Sequence, residues 1–187
     1  MSKVGVLALQ GDVREHLSIL GELGVDPRPV RTVEELEGVD GLVMPGGEST
    51  TIGKLAIRFG LFEPLRVRIE EGLPVYGTCA GLIFLSSAIT EGDQPLLGVL
   101  DVLVKRNAFG RQNESFEADL EVVGLERAFP AVFIRAPWIE KVGSDVDVLA
   151  SFDSHPVMVR QGSIMASSFH PELTGDGRIH QMFLETL

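Results

Sequence analysis

VYGTCAGLIFL, residues 75–85, carries the only cysteine of the chain. One apolar run leads into Cys79 and another leaves it, with Gly77 two residues before the thiol and Gly81 two residues after it. Read locally, this is a buried strand that turns sharply into a buried helix, with the cysteine at the tip. A side chain at such a tip stands clear of the sheet. The helix N-terminus favours a thiolate there, and the N–H groups that follow point at a developing oxyanion. Such a turn strains the backbone of the tip residue, so its neighbours must be small, as Gly77, Ala80 and Gly81 are. Free cysteine is also common as a small buried hydrophobe, so the stretch alone leaves nucleophile and core filler about even.

Outward from this stretch, the first half of the chain repeats the same alternation. KVGVLAL (3–9) is a continuous apolar run, the pattern of a strand buried on both faces of a parallel sheet. A helix-period segment opens at Asp12, with Val13, Leu17, Leu20 and Gly24 on one face and His16 on or near the surface. DGLVMPGG (40–47) reads as a second strand ending in a glycine turn, with helical sequence from Thr51. LPVYGTC (73–79) is the third strand, and its helix runs from Ala80 to about Ala88.

The second half changes character. LLGVLDVLVKR, SFEADLEVV, AVFIRAP, DVLASF, PVMVRQG and SIMASSF are strand-like runs separated by turn residues, and a last helix starts near Gly177. They are expected as antiparallel strands that extend or cover the sheet. The fold expected is therefore α/β: a doubly wound, mostly parallel sheet flanked by helices, with antiparallel strands added in the second half. No repeat, low-complexity segment or linker divides the chain, so one domain over 1–187 is expected.

Composition narrows the function. The formal net charge of −11 repels phosphate backbones and anionic lipid, which argues against nucleic acid or a membrane surface as partner. A single cysteine forms no internal disulfide and builds no thiolate zinc site; no metal and no cofactor is expected. The apolar run in MSKVGVLALQGD is too short for a signal-peptide core or a membrane span, so the chain is expected to be soluble and cytoplasmic.

A thiol nucleophile needs a base, and there are four histidines. His16, in the first helix, His155, in the turn DSHPV, and His180, in the last helix, read as structural. His170 differs, because it follows the strand SIMASSF and opens HPEL, with Glu172 two residues on. In extended backbone, residues two apart point the same way, and Pro171 biases His170 toward that conformation. A carboxylate beside an imidazole fixes its tautomer and stabilises the imidazolium. His-Pro-Glu arises by chance in turns; together with a G-x-C-x-G stretch that parallels the G-x-S-x-G nucleophile elbow, the triad reading is favoured. MPGGEST (44–50) adds Gly46 and Gly47 after a buried strand. They form either a plain tight turn or a backbone donor for the oxyanion, which glycine lets approach closely. In an open α/β sheet the strand ends face one crevice, where Gly46, Gly47 and Cys79 would meet. The P-loop pattern is absent.

With PGGEST, GTCAG and HPE in this order, the sequence resembles the triad (class I) glutamine amidotransferases. More narrowly it is similar to the glutaminase subunits of pyridoxal 5′-phosphate synthase, the PdxT/SNO family. GVLALQGD (5–12), RNAFGRQNESFE (106–117) and FIRAPWIE (133–140) carry that narrower likeness, which runs nearly end to end. The resemblance implies that Cys79 attacks the side-chain amide of L-glutamine, that His170 protonates the leaving ammonia, and that Glu172 orients His170. It places the oxyanion hole at the N–H groups of Ala80 and the Gly46–Gly47 turn. It assigns glutamine binding to Gly47, Glu48 and Ser49, to Arg106, and to Ile134 and Arg135. An arginine fork suits an α-carboxylate, although residues alone would make Arg106 and Arg135 ordinary surface ion pairs.

The resemblance also implies a partner: a (β/α)₈-barrel synthase subunit, in a large hetero-oligomer, that combines ammonia with a pentose phosphate and a triose phosphate. Gln10, at the end of the first strand, is a candidate interface or glutamine-side residue. A stand-alone cysteine hydrolase on a related sheet would carry its histidine directly after the elbow cysteine, where this chain has Ala80. Another amidotransferase, such as the glutaminase of imidazole glycerol phosphate synthase, and a non-enzymatic binding module are the remaining alternatives.

Overall fold

The computed structural model describes residues 1–110 and 114–187; part of the 106–117 segment, residues 111–113, lies outside the described residues. The first half runs β1 (Lys3–Leu7), α1 (Val13–Glu22), β2 (Asp26–Val30), α2 (Val33–Glu37), β3 (Gly41–Met44), α3 (Ser49–Arg58), α4 (Phe62–Glu70), β4 (Val75–Thr78) and α5 (Ala80–Leu85). The second half runs β5 (Ser86–Ile89), β6 (Leu100–Lys105), β7 (Ser115–Leu120), β8 (Phe129–Ile134), β9 (Trp138–Val142), β10 (Asp147–Phe152), β11 (His155–Gln161) and β12 (Ile164–Ser167). A 3₁₀ turn at Pro171–Leu173 and α6 (Arg178–Leu184) complete it.

The main sheet has the order β10-β11-β12-β4-β3-β1-β2. Its centre is parallel, through β12–β4, β4–β3, β3–β1 and β1–β2, while β10, β11 and β12 pair antiparallel. Two smaller sheets, β5-β6-β9 and β7-β8, lie beside it. This is the expected α/β architecture, with two differences in direction: LLGVLDVLVKR becomes β6, which is antiparallel to β9 but parallel to β5, and the second is at the end of the chain. SIMASSF becomes β12, which is antiparallel to β11 but parallel to β4. That pairing delivers the end of β12 to the same edge as the end of β4.

The apolar runs are buried on both faces because two cores sandwich the sheet. Along β1, Val4 and Val6 enter one core and Leu7 the other; β3 divides Val43 from Leu42 and Met44 in the same way. The period-2 alternation thus feeds both layers. Helices α2 to α5 cover one face, and α1, α6 and the β7-β8 hairpin cover the other. On that second face Phe129, Phe133, Phe169 and Phe183 are fully buried. Such side chains contribute about 1.5–3 kcal/mol each by leaving water.

Three local expectations need correction. The helix after Cys79 ends at Leu85, where Ser86 turns its hydroxyl onto the Ile83 carbonyl and starts β5, so residues 86–88 are not helical. Helix α3 begins at Ser49 rather than Thr51, because the Glu48 carboxylate accepts from the N–H groups of Thr50 and Thr51 and caps it earlier. The first helix ends at Glu22, so Gly24 lies beyond it. Among the described residues, no helix is long and apolar enough to cross a membrane.

Candidate active site

Strands β1, β3, β4 and β12 are consecutive and parallel, so their C-terminal ends open on one crevice. β4 ends at Cys79, β3 at the Gly46–Gly47 turn, β1 at Gln10–Asp12, and β12 leads through Ser168 and Phe169 to His170. Cys79 has φ 49° and ψ −101°, a conformation that costs a non-glycine residue about 1–3 kcal/mol. The strain is held by close packing. A Cβ on Gly77 would come 2.7 Å from the backbone of Gly81, and one on Gly81 would run into the Met44 carbonyl. The Cys79 N–H donates to the Ser167 carbonyl at 2.8 Å, which ties the tip of β4 to β12.

His170 is 4% exposed, and its own N–H donates to the Val132 carbonyl of β8 at 2.8 Å. Its Nδ1 lies 2.7 Å from Glu172 Oε1 and 3.3 Å from Asp12 Oδ2. Two carboxylates on Nδ1 leave Nε2 for the thiol. Burial works to lower the pKa of His170, but hydrogen bonds to Asp12, Cys79 and Glu172 outweigh it and raise it to about 12. The imidazolium is therefore the resting form. Burial raises the Glu172 carboxyl, against the opposing pull of His170.

Gly46 and Gly47 stand where the chain has no room for a side chain. A Cβ on Gly46 would overlap the His170 ring, and Gly47 has φ 152°, a region essentially closed to other residues, where a Cβ would overlap the Gln10 side chain. The Gln10 Oε1 accepts from the Glu48 N–H at 2.8 Å, and the Gly46 carbonyl accepts from the Asp12 N–H at 3.0 Å. The Ala80 N–H, at the first position of α5, has no intrahelical acceptor and is free to meet an oxyanion.

A cavity of about 370 Å³ lies in front of these groups. Cys79, Ala80, His170 and Gly47 line it, together with Glu48, Ser49, Arg106, Ile134 and Arg135. Glu172 sits behind His170, and Gly46 packs against the ring. The Cys79 sulfur is 3.9 Å from the Ile134 carbonyl. Arg106 Nη1 donates to Gln94 Oε1 at 2.9 Å, and Nη2 stands 3.9 Å from Glu48 Oε1. Gln94 in turn donates to Ser49 Oγ at 3.0 Å.

Several participants escaped the sequence reading. Asp12 was read as a helix start; it is the N-cap of α1 but makes no capping bond, because its carboxylate faces His170. Its place directly after β1, at the crevice edge, was the available signal. Asn107 and Leu173 also line the cavity. Gln94 had no local signal, since its partners are far away in sequence. His16 was expected near the surface and is fully buried, in contact with Thr78, His180 and Glu172. His155 begins β11 and stacks on Trp138 at 3.6 Å, away from the cavity. Asp12, His170 and Glu172 present donor atoms within 4.8 Å of one another, a spacing able to hold a metal ion. Nδ1 and Oε1 are already committed to each other there, so a metal would have to break that bond.

A cysteine at a strained strand-to-helix turn of a mostly parallel sheet, beside a histidine–carboxylate pair, is an arrangement that resembles that of the glutamine amidotransferases. A solved glutamine amidotransferase, 57% identical, superimposes with a TM-score of 0.94 over 98% of this chain and 97% of its own. Another from Thermotoga maritima shares the fold at 15% identity, with a TM-score of 0.62 over 98% of this chain and 83% of its own. Residues 6–187 match the SNO glutamine amidotransferase family, and the chain belongs to it. Among its relatives, the pyridoxal 5′-phosphate synthase subunit PdxT of Streptomyces coelicolor is 58% identical over 97% of this chain and 92% of its own. The same-named subunit of Mycobacteroides abscessus is 59% identical over 97% and 95%.

Proposed function

We propose that this chain hydrolyses L-glutamine to L-glutamate and ammonia and passes the ammonia to a pyridoxal 5′-phosphate synthase subunit. The observation that carries the reading is the Cys79 elbow facing His170, whose far nitrogen is held 2.7 Å from Glu172. The Cys79 thiolate attacks the side-chain amide carbon, and the C=O electron pair moves onto oxygen. The N–H of Ala80 and the Gly46–Gly47 turn receive that oxyanion. The intermediate collapses, the C–N bond breaks, and His170 gives its proton to the departing nitrogen. A glutamyl thioester remains on Cys79. Water attacks it with His170 now as base; the C–S bond breaks, which releases glutamate and restores the thiolate–imidazolium pair. Glu172 holds the ring and stabilises its charge.

Arg106, with Gln94 and Glu48 beside it, faces the cavity as a partner for the α-carboxylate; Gly47, Glu48, Ser49, Ile134 and Arg135 line the space for the rest of glutamine. In water at neutral pH ammonia would be protonated and lose its nucleophilicity, so the reaction makes sense only when docked on its consumer. The relatives are named as subunits of pyridoxal 5′-phosphate synthase, which supports another subunit of that synthase as the consumer; on this reading it is a (β/α)₈ barrel in a hetero-oligomer that joins ammonia to a pentose phosphate and a triose phosphate in the cytoplasm. The contact of Gln10 with the Gly46–Gly47 turn supports Gln10 as the residue through which docking acts on the oxyanion turn. Glutamate release is to be measured with and without the synthase subunit, for wild type and Cys79→Ala. The expected result is activity that needs both Cys79 and the synthase. Activity indifferent to the synthase, or surviving Cys79→Ala, contradicts the reading.

A further inference from the structure

Behind the Glu172 carboxylate lies a pair of buried histidines that the chemistry above does not use. His16 on α1 and His180 on α6 are both fully buried, and His16 Nδ1 lies 2.9 Å from His180 Nε2. The other nitrogen of His16, Nε2, is 3.2 Å from Thr78 Oγ1 and 3.5 Å from Glu172 Oε2. Glu172 Oε1 is committed to His170, whereas Oε2 is buried without a hydrogen bond of ordinary geometry. His16 Nε2 is the donor-capable atom set against it.

Counting donors fixes the tautomers. If His16 carried its proton on Nδ1, it would donate to His180 Nε2. His16 Nε2 would then aim a lone pair at the carboxylate, and the His180 proton would be stranded on Nδ1, which is buried and unpartnered. With both protons on Nε2, His180 donates to His16 Nδ1, and His16 Nε2–H points between Thr78 Oγ1 and Glu172 Oε2. Only a lone pair is left over. Stranding an N–H in the interior is the costlier choice, so the second arrangement holds. Both rings are neutral. Burial, then His180 and His170, push His16 well below its ordinary pKa, and burial brings His180 down to about 4.

We propose that His16, pinned by His180, is a positioning residue for the glutaminase reaction: its Nε2–H holds Glu172 as an anion with Oε1 turned to His170. The role rests on reading Cys79, His170 and Glu172 as nucleophile, proton carrier and orienter. Without that N–H, Glu172 Oε2 has no donor in the interior, and the carboxyl takes up a proton more readily. A protonated Glu172 stabilises the imidazolium less, and the Cys79–His170 pair loses charge separation. The other charged or titratable groups around this chain of contacts stay in place: Asp12 on His170 Nδ1, Tyr76 edge-on to His180, and Arg106, Arg135 and Glu48 around the cavity.

The single thiol makes the test direct. The rate of Cys79 alkylation by iodoacetamide against pH, on the full chain, reports the Cys79–His170 pair as a unit and needs neither glutamine nor partner. Glutamine carries an amide nitrogen where histidine has Nε2, and asparagine carries one where it has Nδ1. His16→Gln therefore keeps the donor toward Glu172, and His16→Asn removes it. On the acid limb of the profile, where the rate climbs tenfold per pH unit, His16→Asn should shift the curve upward in pH by roughly one unit and so slow alkylation about tenfold at a given pH, while His16→Gln follows the wild-type curve. The kcat for glutamine should fall with the alkylation rate, and KM should not move. A wild-type profile for His16→Asn, or equal losses for both variants, overturns the proposal.

Should His16→Asn fail to fold, His180→Leu against His180→Gln repeats the comparison from the outer ring. A shift for leucine alone supports the role, and no shift, or the same shift for both, sinks it. His170→Asn is the control. A profile that ignores His170 removes the triad reading and this role with it, whereas one that responds to His170 and not to His16 removes this role alone.

Discussion

One wall of the cavity carries Cys79, the Gly46–Gly47 turn and His170, each set beyond the end of a parallel strand of the main sheet. A second wall carries Arg106, Ile134 and Arg135, set at the ends of β6 and β8 in the two small sheets beside it, and it meets the first where the Ile134 carbonyl comes 3.9 Å from the Cys79 sulfur. The first wall is fixed by backbone bonds: Cys79 N–H to the Ser167 carbonyl, Asp12 N–H to the Gly46 carbonyl, His170 N–H to the Val132 carbonyl. The second is tied by backbone bonds too, Arg135 N–H to the Glu114 carbonyl and Ala108 N–H to the Ala136 carbonyl, but its Arg106 guanidinium reaches the cavity on a long side chain held chiefly by the Gln94 amide. Reacting atoms need placement to a fraction of an ångström, which a hydrogen-bonded ladder supplies. Gripping a flexible substrate tolerates softer support. In the proposed reaction the first wall serves the chemical step and the second serves binding.

That division can be broken in order of expected effect. Cys79→Ala should lower kcat by about 10⁴-fold or more, as loss of a nucleophile does. Glu172→Gln should lower kcat by roughly 10²–10⁴-fold with little change in KM, the range for a disabled acid–base unit. On the second wall, Arg106→Ala should raise KM by about 10- to 100-fold and leave kcat nearly unchanged, from the loss of a charge-assisted hydrogen bond worth about 1.5–3 kcal/mol. Gln94→Leu should follow it with a KM rise of about fivefold, from one neutral hydrogen bond of roughly 1 kcal/mol. Steady-state kinetics with the synthase present checks all four. A fall in kcat with unchanged KM for Arg106→Ala would abolish the contrast between the walls.

The smallest effect concerns stability beneath the first wall. The unfolded chain protonates histidine near pH 6.5, whereas folded His180 stays neutral down to about 4. Between these values the unfolded state binds the extra proton, so His180 contributes stability above pH 6.5 that is lost as pH falls toward 4. Urea unfolding across that window should show a shallower loss for His180→Gln than for wild type. Equal slopes would mean that the pair is solvated.

Legibility followed the same division between walls. β1, β3 and β4 were readable because burial on both faces makes continuous apolar runs, and Cys79 and His170 sit at their ends or at the end of β12. β2 was not. Its sequence is DPRPV, and Pro27 and Pro29 deny a strand signal, but it is an edge strand, where prolines are tolerated. The direction of β12 was hidden because pairing partners leave no mark on a strand's own residues. Arg106 and Arg135 were assigned only through family likeness, since an arginine in a loop of an acidic protein has no local pattern that separates ligand grip from ion pair. His16 was misplaced although its signal was present: it lies three residues after Val13 and four before Leu20, on the buried face. A polar residue on an apolar stripe should have raised the question of its partner.

The central claim is that Cys79 carries the substrate covalently. Acid quenching during turnover of glutamine with the synthase present, followed by peptide mass spectrometry, tests it most directly. A glutamyl group on the peptide containing Cys79, absent when glutamine is withheld, is the predicted result. Ammonia released at an undiminished rate by Cys79→Ala, with no adduct on the wild-type peptide, would contradict it.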